Sequence, residues 1–226
     1  MQSNTAPTTH LLPAGDALSF ASPPDHSMTH IAPPSSPQPS HEPIADAVRV
    51  WLERAVIGLN LCPFARAPYV NHRVRIAVTD ADTDEALLHA LDGELSLLRD
   101  TAPDLIETTL LVHPQVLTDF DAYNDFLTLA DLAVRMRGMQ DTLQIASFHP
   151  DYRFADSEAD DIENYTNRAP YPILHLLRES SVDAAVRAMP DTDEIYRRNM
   201  DTLRRLGLSG WNALWQTPEP LRKPSV

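Results

Sequence analysis

Residues 106–114 read IETTLLVHP, an apolar run that breaks off in a His-Pro pair. A short run of β-branched and aliphatic residues that ends at turn-forming residues is typical of a buried β-strand. Residues 143–150 read LQIASFHP and repeat this arrangement, including the final His-Pro. The two segments therefore predict two strands that end in the same way.

A helix is predicted between these two strands. Thr118 or Asp119 is suited to cap its N-terminus, and Gly138 is suited to end it. The apolar residues between them recur at the three-and-four spacing of one helix face: Phe120, Tyr123, Leu127, Ala130 and Val134. Strands joined by a helical crossover of this length are expected to be parallel, with a right-handed connection.

Further strands are predicted before and after this strand-helix-strand segment. Residues 73–79 (RVRIAVT) alternate in polarity and predict a strand, and residues 172–178 (PILHLLR) predict a fourth. Asp82, with Glu85 three residues later, is expected to cap the helix that follows the first strand.

Helices are also predicted at both ends of the folded part. One helix begins at Ile44, before the first strand, and ends near Pro63. Two helices follow the last strand, the first from Val182, and the second capped by Asp191 and stopped by Gly207. The order of elements predicts an α/β fold with a small, mostly parallel sheet of about four strands, flanked by helices and preceded by one N-terminal helix. A thioredoxin-like topology is a second reading of the same order.

The first 43 residues differ in composition from the rest of the chain. They hold nine of the 20 prolines, seven serines and no Lys or Arg. Such a segment has too little apolar side chain to offset the entropy of ordering, so it is predicted to be a disordered tail. Residues 44–216 are predicted to form a single α/β domain, and residues 217–226 a flexible C-terminal tail.

Charge and cysteine content narrow the classes of partner. The formal net charge of −14 predicts no nucleic acid as partner, because an acidic surface repels a phosphate backbone. No apolar run reaches the length of a membrane-spanning helix and no basic-apolar leader is present, so a cytoplasmic protein without a membrane partner is expected. The single cysteine excludes a disulfide within the chain and a cysteine-rich zinc cluster. The oligomeric state is not indicated.

The two His-Pro pairs indicate where chemistry could take place. In open parallel sheets, ligands bind beyond the carboxyl ends of the strands, where His113 and His149 are expected to lie. Histidine is suited to proton transfer near neutral pH. His175 falls inside the fourth strand, and a cluster of all three histidines, joined by Asp151 or Cys62, is a further hypothesis. Three imidazoles could hold zinc. The acidic run from Asp156 to Glu163 is interpreted as a solvated face, with a hard-cation site as the minority alternative.

A long segment between the third and fourth strands gathers polar and aromatic side chains. Amides, guanidinium groups and phenol rings of this kind could orient a small anionic ligand. The predicted ligand-binding residues are Tyr152, Asn164, Asn167, Arg168, Tyr171 and Arg178. A rigid loop that uses the same residues only to hold its shape is the alternative.

These clusters predict an enzyme or a binder of a small anionic molecule. The predicted catalytic residues are His113, His149, Asp151, His175 and Cys62. A non-catalytic interaction or scaffold protein is the alternative, and a thiol-dependent redox protein centred on Cys62 is a third reading. No glycine-rich phosphate loop is present, and no cofactor is indicated.

The chain resembles a known bacterial family, catalogued as Domain of Unknown Function 1415. Three segments carry the resemblance: NLCPFA at 60–65, ASFHPDYRFA at 146–155 and NYTNRAPYPILHLLRE at 164–179. It covers roughly residues 44–206 and implies a small bacterial cytoplasmic protein. The family has no assigned activity, so the resemblance implies no catalytic residues.

Overall fold

The computed structural model describes residues 41–188 and 192–216, which belong to one compact unit. The predicted tails, apart from residues 41–43, lie outside the described residues. The same holds for Asp191, the predicted cap of the last helix. Among the described residues, no helix has the length and apolar content needed to cross a membrane.

The four predicted strands are confirmed to within two residues at each end. They are β1 (Val74–Val78), β2 (Thr108–Val112), β3 (Leu143–Phe148) and β4 (Ile173–Arg178). The helices are α1 (Glu42–Trp51), α2 (Arg66–Val70), α3 (Asp84–Asp100), α4 (Phe120–Met136), α5 (Glu179–Ala188) and α6 (Thr192–Ala213). A π-helical segment, Leu52–Ile57, continues α1, and a short 3₁₀ helix, Ile162–Thr166, lies between β3 and β4.

The sheet is mixed, with strand order β1-β2-β4-β3. Only β1 and β2 are parallel, and β4 is antiparallel to both of its neighbours. The prediction of a mostly parallel sheet is therefore wrong, and the thioredoxin-like topology is not confirmed. The reason is that the segment after β3 contains no crossover helix that would carry the chain to the opposite edge. The chain therefore stays at the edge of the sheet where β3 ends. There the backbone N–H of His113 donates to the carbonyl of Pro172 (3.1 Å), and β4 begins at this point and runs antiparallel to β2 and β3.

Side-chain alternation gives the sheet two apolar faces, each covered by helices. Leu111, Leu174 and Leu176 pack with α3 and α4 on one face. Leu110 and Ile173 pack with α1, the π-helical segment and α6 on the other. The fold is therefore an α/β structure in three layers, and its sheet is buried on both sides.

The helix ends confirm some of the predicted signals and correct others. Asp119 caps α4, and its carboxylate accepts a hydrogen bond from the backbone of Ala122 (3.0 Å). α3 is capped by Thr83 rather than Asp82, because the Thr83 hydroxyl accepts from the backbone N–H of Ala86 (3.2 Å).

One prediction about the C-terminal helices is corrected and another is confirmed. α5 begins at Glu179, directly after β4, rather than at Val182. Gly207, with a φ of 62°, stops the regular helix as predicted, and a second helical stretch runs on to Ala213, so α6 is kinked at this residue. Leu203, before Gly207, and Trp211, after it, both pack on the sheet face that α1 covers.

Candidate functional site

The strand-end histidines meet at one edge of the sheet, as predicted. β2 and β3 run in the same direction on either side of β4, so His113 and His149 leave the sheet together. Both side chains contact Tyr123 of α4. The His113 ring stacks on it with a centroid distance of 5.8 Å, and the His149 ring lies at 5.1 Å. The Tyr123 hydroxyl donates to the carbonyl of Ile173 (2.8 Å), which holds the ring over the start of β4.

His113 is completely buried and neutral. Its Nδ1 lies 3.0 Å from the carbonyl of Val116, an acceptor, so Nδ1 carries the proton. Nε2 is then an unprotonated acceptor, and it is buried without a hydrogen-bond partner. Burial lowers the pKa of His113 to about 4, because a charged imidazole would lose its hydration there.

His149 uses both ring nitrogens to hold the loop that it begins. The backbone N–H of Asp151 donates to Nδ1 (3.0 Å), and Nε2 donates to the carbonyl of Leu117 (3.2 Å). Burial lowers the pKa of His149 as well. Both histidines have 0% exposure. This edge of the sheet is therefore filled, and neither ring is open to a ligand.

His175 does not join the other two histidines. It pairs with Leu110 in the sheet and so lies on the face covered by α1 and α6, opposite the face of Tyr123. Its Nε2 lies 2.8 Å from the Thr108 hydroxyl, and burial lowers its pKa to about 4. The hypothesis of one cluster is wrong, because adjacent strand positions alternate between the two faces. Residues 41–188 and 192–216 contain no group of three His, Cys, Asp or Glu side chains that could hold a metal ion.

Cys62 lies after the π-helical segment and is half-buried. Burial raises the pKa of its thiol, so the thiol rather than the thiolate is favoured. A lowered pKa is typical of nucleophilic and redox cysteines. The raised pKa of Cys62 therefore gives no support to a thiol-dependent redox protein.

The two predicted ligand-binding asparagines hydrogen-bond to the protein itself, Asn164 within the loop and Asn167 to β3. The buried Asn164 accepts from the backbone of Phe154 (3.0 Å) and the hydroxyl of Ser157 (2.6 Å), and donates to the carbonyl of Glu158 (2.7 Å). Asn167 donates to the carbonyl of Ser147 (3.1 Å). The two side-chain amides therefore satisfy backbone N–H and C=O groups that have no partner in a regular helix or strand.

Replacing Asn164 with Ala is expected to loosen this loop. Three hydrogen bonds to one buried side chain are lost, and the free energy of unfolding is expected to fall by about 2–3 kcal/mol. Limited proteolysis followed by mass spectrometry should show faster cleavage between residues 154 and 163. Asn71, an exposed asparagine whose amide donates to one carbonyl, is the control, and Asn71→Ala should leave the cleavage pattern unchanged. Equal cleavage in both variants would contradict the role of Asn164.

The other predicted residues divide between the core and a pocket. The Arg178 guanidinium is buried, and its Nη2 donates to three backbone carbonyls at the end of α3 and after it. Tyr152 packs edge-to-face against Phe120 (5.3 Å). Tyr171 packs in the apolar cluster on the side of the sheet that α1 covers. Arg168 lines a pocket, in which none of the other five predicted ligand-binding residues takes part.

This aromatic pocket lies between α1, the loop after β3 and the end of α6, and its volume is about 530 Å³. Volumes of this size suit small-molecule ligands. Its walls contain all three tryptophans of the chain, together with a tyrosine and two prolines. The lining residues are Ala47, Val50, Trp51, Pro150, Tyr165, Arg168, Ala169, Pro170, Trp211 and Trp215.

Arg168 is the charged side chain in this wall. Its Nε donates to the carbonyl of Tyr152 (3.3 Å), its Nη2 donates to the carbonyl of Ala159, and its guanidinium lies 4.2 Å from the centre of the Tyr165 ring. All of these partners are neutral. Within the described part of the chain, Arg168 therefore has no carboxylate partner, and its Nη1 makes no hydrogen bond.

A second cavity, of about 610 Å³, lies along the surface of α6. Its lining residues are Glu194, Arg197, Arg198, Asp201, Arg204 and Arg205. They all belong to one helix and carry both signs of charge, so this cavity is a solvated groove rather than an enclosed site.

The tryptophans are the residues that sequence reasoning did not assign to a site. The apolar spacing of the first helix makes Trp51 an inward residue, and Trp211 and Trp215 follow Gly207 near the C-terminus. More than 150 residues separate the first of them from the other two. The signal in the sequence that could have indicated an aromatic pocket was the presence of three tryptophans in a chain with few aromatic residues. Whether they come together depends on how α1 and α6 pack.

Comparison with known proteins agrees with the resemblance seen in the sequence. A family model described as "Protein of unknown function (DUF1415)" matches residues 43–213. The match includes β1 to β4 and the whole aromatic pocket except Trp215. No curated protein and no solved structure matches the chain.

Proposed function

The chain belongs to the DUF1415 family of proteins of unknown function, and since that family assigns no activity, we propose from the pocket that this protein binds a small anionic molecule. The observation that carries the proposal is the position of Arg168. It places a positive charge without a carboxylate partner in the wall of an apolar, aromatic pocket. A guanidinium binds an anion through charge-assisted hydrogen bonds, which are roughly twice as strong as those between neutral groups.

The contrast with other arginines supports this reading. In a chain with a net charge of −14, exposed and half-buried arginines commonly pair with acids, as Arg75 does with Glu94 (2.8 Å) and Arg153 with Asp121 (2.9 Å). Arg168 is instead held by backbone carbonyls and a phenol ring. These contacts fix the side chain and leave its charge for a ligand.

The lining residues favour binding over catalysis. The histidines, which are the side chains suited to proton transfer near neutral pH, do not line the pocket, and Cys62 does not line it either. His149 contributes indirectly, because it holds the start of the loop whose next residue, Pro150, does line the pocket. We therefore assign the two strand-end histidines a structural part in the proposed function.

Native mass spectrometry of the purified protein tests the proposal. The expected result is a second mass above that of the chain, from a small co-purified molecule, which disappears in Arg168→Gln because a neutral amide cannot replace the guanidinium. Arg153→Gln is the matched control: Arg153 lies in the same loop but pairs with Asp121 away from the pocket. Thermal unfolding should show that both variants remain folded. A ligand retained equally in Arg168→Gln would contradict the proposal.

A non-catalytic interaction protein is the second candidate. Two observations favour it: the filled edge at His113 and His149, and a row of exposed apolar side chains on α4, Leu129, Leu132 and Met136. Their spacing places them on one face of the helix. A wild-type protein whose native mass equals that of the chain alone, as in the variant, would favour this candidate.

A further inference from the structure

We infer that the ligand of the aromatic pocket is a planar aromatic acid with a single negative charge, such as an aromatic carboxylate. This inference rests on the proposed function and goes beyond it by naming the chemical class. Three features of the pocket carry it: the arrangement of the rings, the way they are held, and the number of charges in the wall.

The rings form an edge-to-face series along one side of the pocket. Tyr165 and Trp211 have centroids 5.0 Å apart at an interplanar angle of 73°, and Trp211 and Trp215 have centroids 5.4 Å apart at the same angle. Aromatic rings attract one another in this geometry because the positive edge of one meets the negative face of the next. Trp215 ends the series with 38% exposure, so a flat ligand ring can extend it.

The rings are fixed before any ligand arrives. The indole N–H of Trp51 donates to the backbone carbonyl of Arg168 (2.9 Å), and its ring packs edge-to-face on Phe148 (5.2 Å). The Arg54 guanidinium donates to the carbonyl of Leu214 (2.6 Å), next to Trp215, and so holds the turn that follows α6 in place. A pocket with walls held in this way loses little conformational entropy on binding and selects for the shape of its ligand.

The charge of the wall sets the charge of the ligand. Arg168 is the one charged residue among the lining residues described. A single guanidinium matches a single carboxylate, and a second negative group would find no cation in the wall. A dianion such as a phosphate monoester is therefore a poorer match than a carboxylate attached to a flat ring.

Three probes of the same ring skeleton separate flatness from charge. They are 2-naphthoate, which is flat and charged, its saturated analogue decahydro-2-naphthoate, and the uncharged 2-naphthylmethanol. Each is titrated into the full-length protein by isothermal titration calorimetry. Because all three tryptophans line the pocket, a change in tryptophan fluorescence on binding reports that the probe is there.

The expected result is that 2-naphthoate binds at least about tenfold more tightly than either comparison compound, since the loss of ring contacts or of a charge-assisted hydrogen bond is of that size. Arg168→Gln should abolish this preference over the alcohol, and Trp215→Leu should reduce the preference over the saturated acid. Trp215 is the most exposed of the three tryptophans, so its replacement spares the core, and melting curves check that both variants fold.

Each contrary result separates this inference from the proposed function. Equal binding of the flat and saturated acids, lost in Arg168→Gln, would overturn the aromatic class while an anion site remains. Equal binding of the alcohol would overturn the role of charge. If none of the probes binds up to millimolar concentration, the inference fails, and a non-aromatic acid found by native mass spectrometry would show that the proposed function still holds.

Discussion

Lowering the pH from 7 to 4.5 is expected to reduce the free energy of unfolding through two buried histidines, His113 and His175. The pKa of each is lowered to about 4 in the folded protein, against 6.5 for an ordinary histidine. Between these values the unfolded chain binds a proton that the folded chain refuses, so stability is full above pH 6.5 and falls as the pH approaches 4.

The size of the effect follows from the shift in pKa. For each histidine the loss between pH 7 and pH 4.5 is about 2.5 kcal/mol, because the two pKa values are lowered to the same extent. The two together account for about 5 kcal/mol, a large share of the 5–15 kcal/mol typical of a domain. Urea unfolding followed between pH 7 and pH 4.5 measures this slope.

Single replacements identify which histidines cause the loss of stability at low pH. His113→Gln and His175→Gln should each reduce the loss of stability with falling pH, whatever they do to stability at pH 7. The matched control is His89→Gln, because His89 is exposed on α3 and should leave the slope unchanged. An undiminished slope in both His113→Gln and His175→Gln would mean that other groups cause the acid sensitivity.

Replacing Arg178 with Met is expected to lower the free energy of unfolding by about 3–5 kcal/mol. Nη2 of Arg178 lies 2.6–2.9 Å from the carbonyls of Leu98, Thr101 and Ile106, at the end of α3 and the start of the segment that leads to β2. The C-terminal carbonyls of a helix lack partners within the helix and carry partial negative charge, so a buried cation satisfies both needs. Methionine fills similar space but leaves three carbonyls without a donor.

Arg99→Met is the matched control for this prediction. Arg99 lies at the same end of α3, but its guanidinium is exposed and pairs with the neighbouring Asp100 (2.6 Å). An exposed pair of this kind contributes little, so the control is expected to change stability by less than about 0.5 kcal/mol. Urea unfolding of the two variants and the wild type gives the comparison. Equal stabilities for the two variants would show that Arg178 does not hold the end of α3.

The residues chosen from the sequence as a site are mostly those that hold the fold. Histidine, asparagine and arginine are chemically versatile, and the same donors that bind a ligand can satisfy backbone groups in an irregular segment. Nothing in the sequence around Asn164 or Arg178 distinguishes these roles. The distinction depends on burial and on which carbonyls lie nearby, and both are set by residues distant in the chain.

The direction of β4 is a second feature that could not be predicted from the sequence. Residues 172–178 have the apolar pattern of a buried strand whichever way the strand runs, so their position was predictable and their pairing was not. The same uncertainty produced the hypothesis of three converging histidines, because the face on which His175 lies depends on the register of β4.

The sequence by itself determined the four strands, most of the helix ends, the family and the meeting of His113 with His149, because these depend on local apolar periodicity, on turn residues and on strands that run in the same direction. Only the tertiary structure decided the antiparallel pairing of β4, the burial of the histidines and the position of the pocket. That pocket joins Trp51 to Arg168 and Trp211, which lie far apart along the chain. Contacts of this kind arise when α1 and α6 pack on one face of the sheet, and no local pattern encodes which side chains then become neighbours.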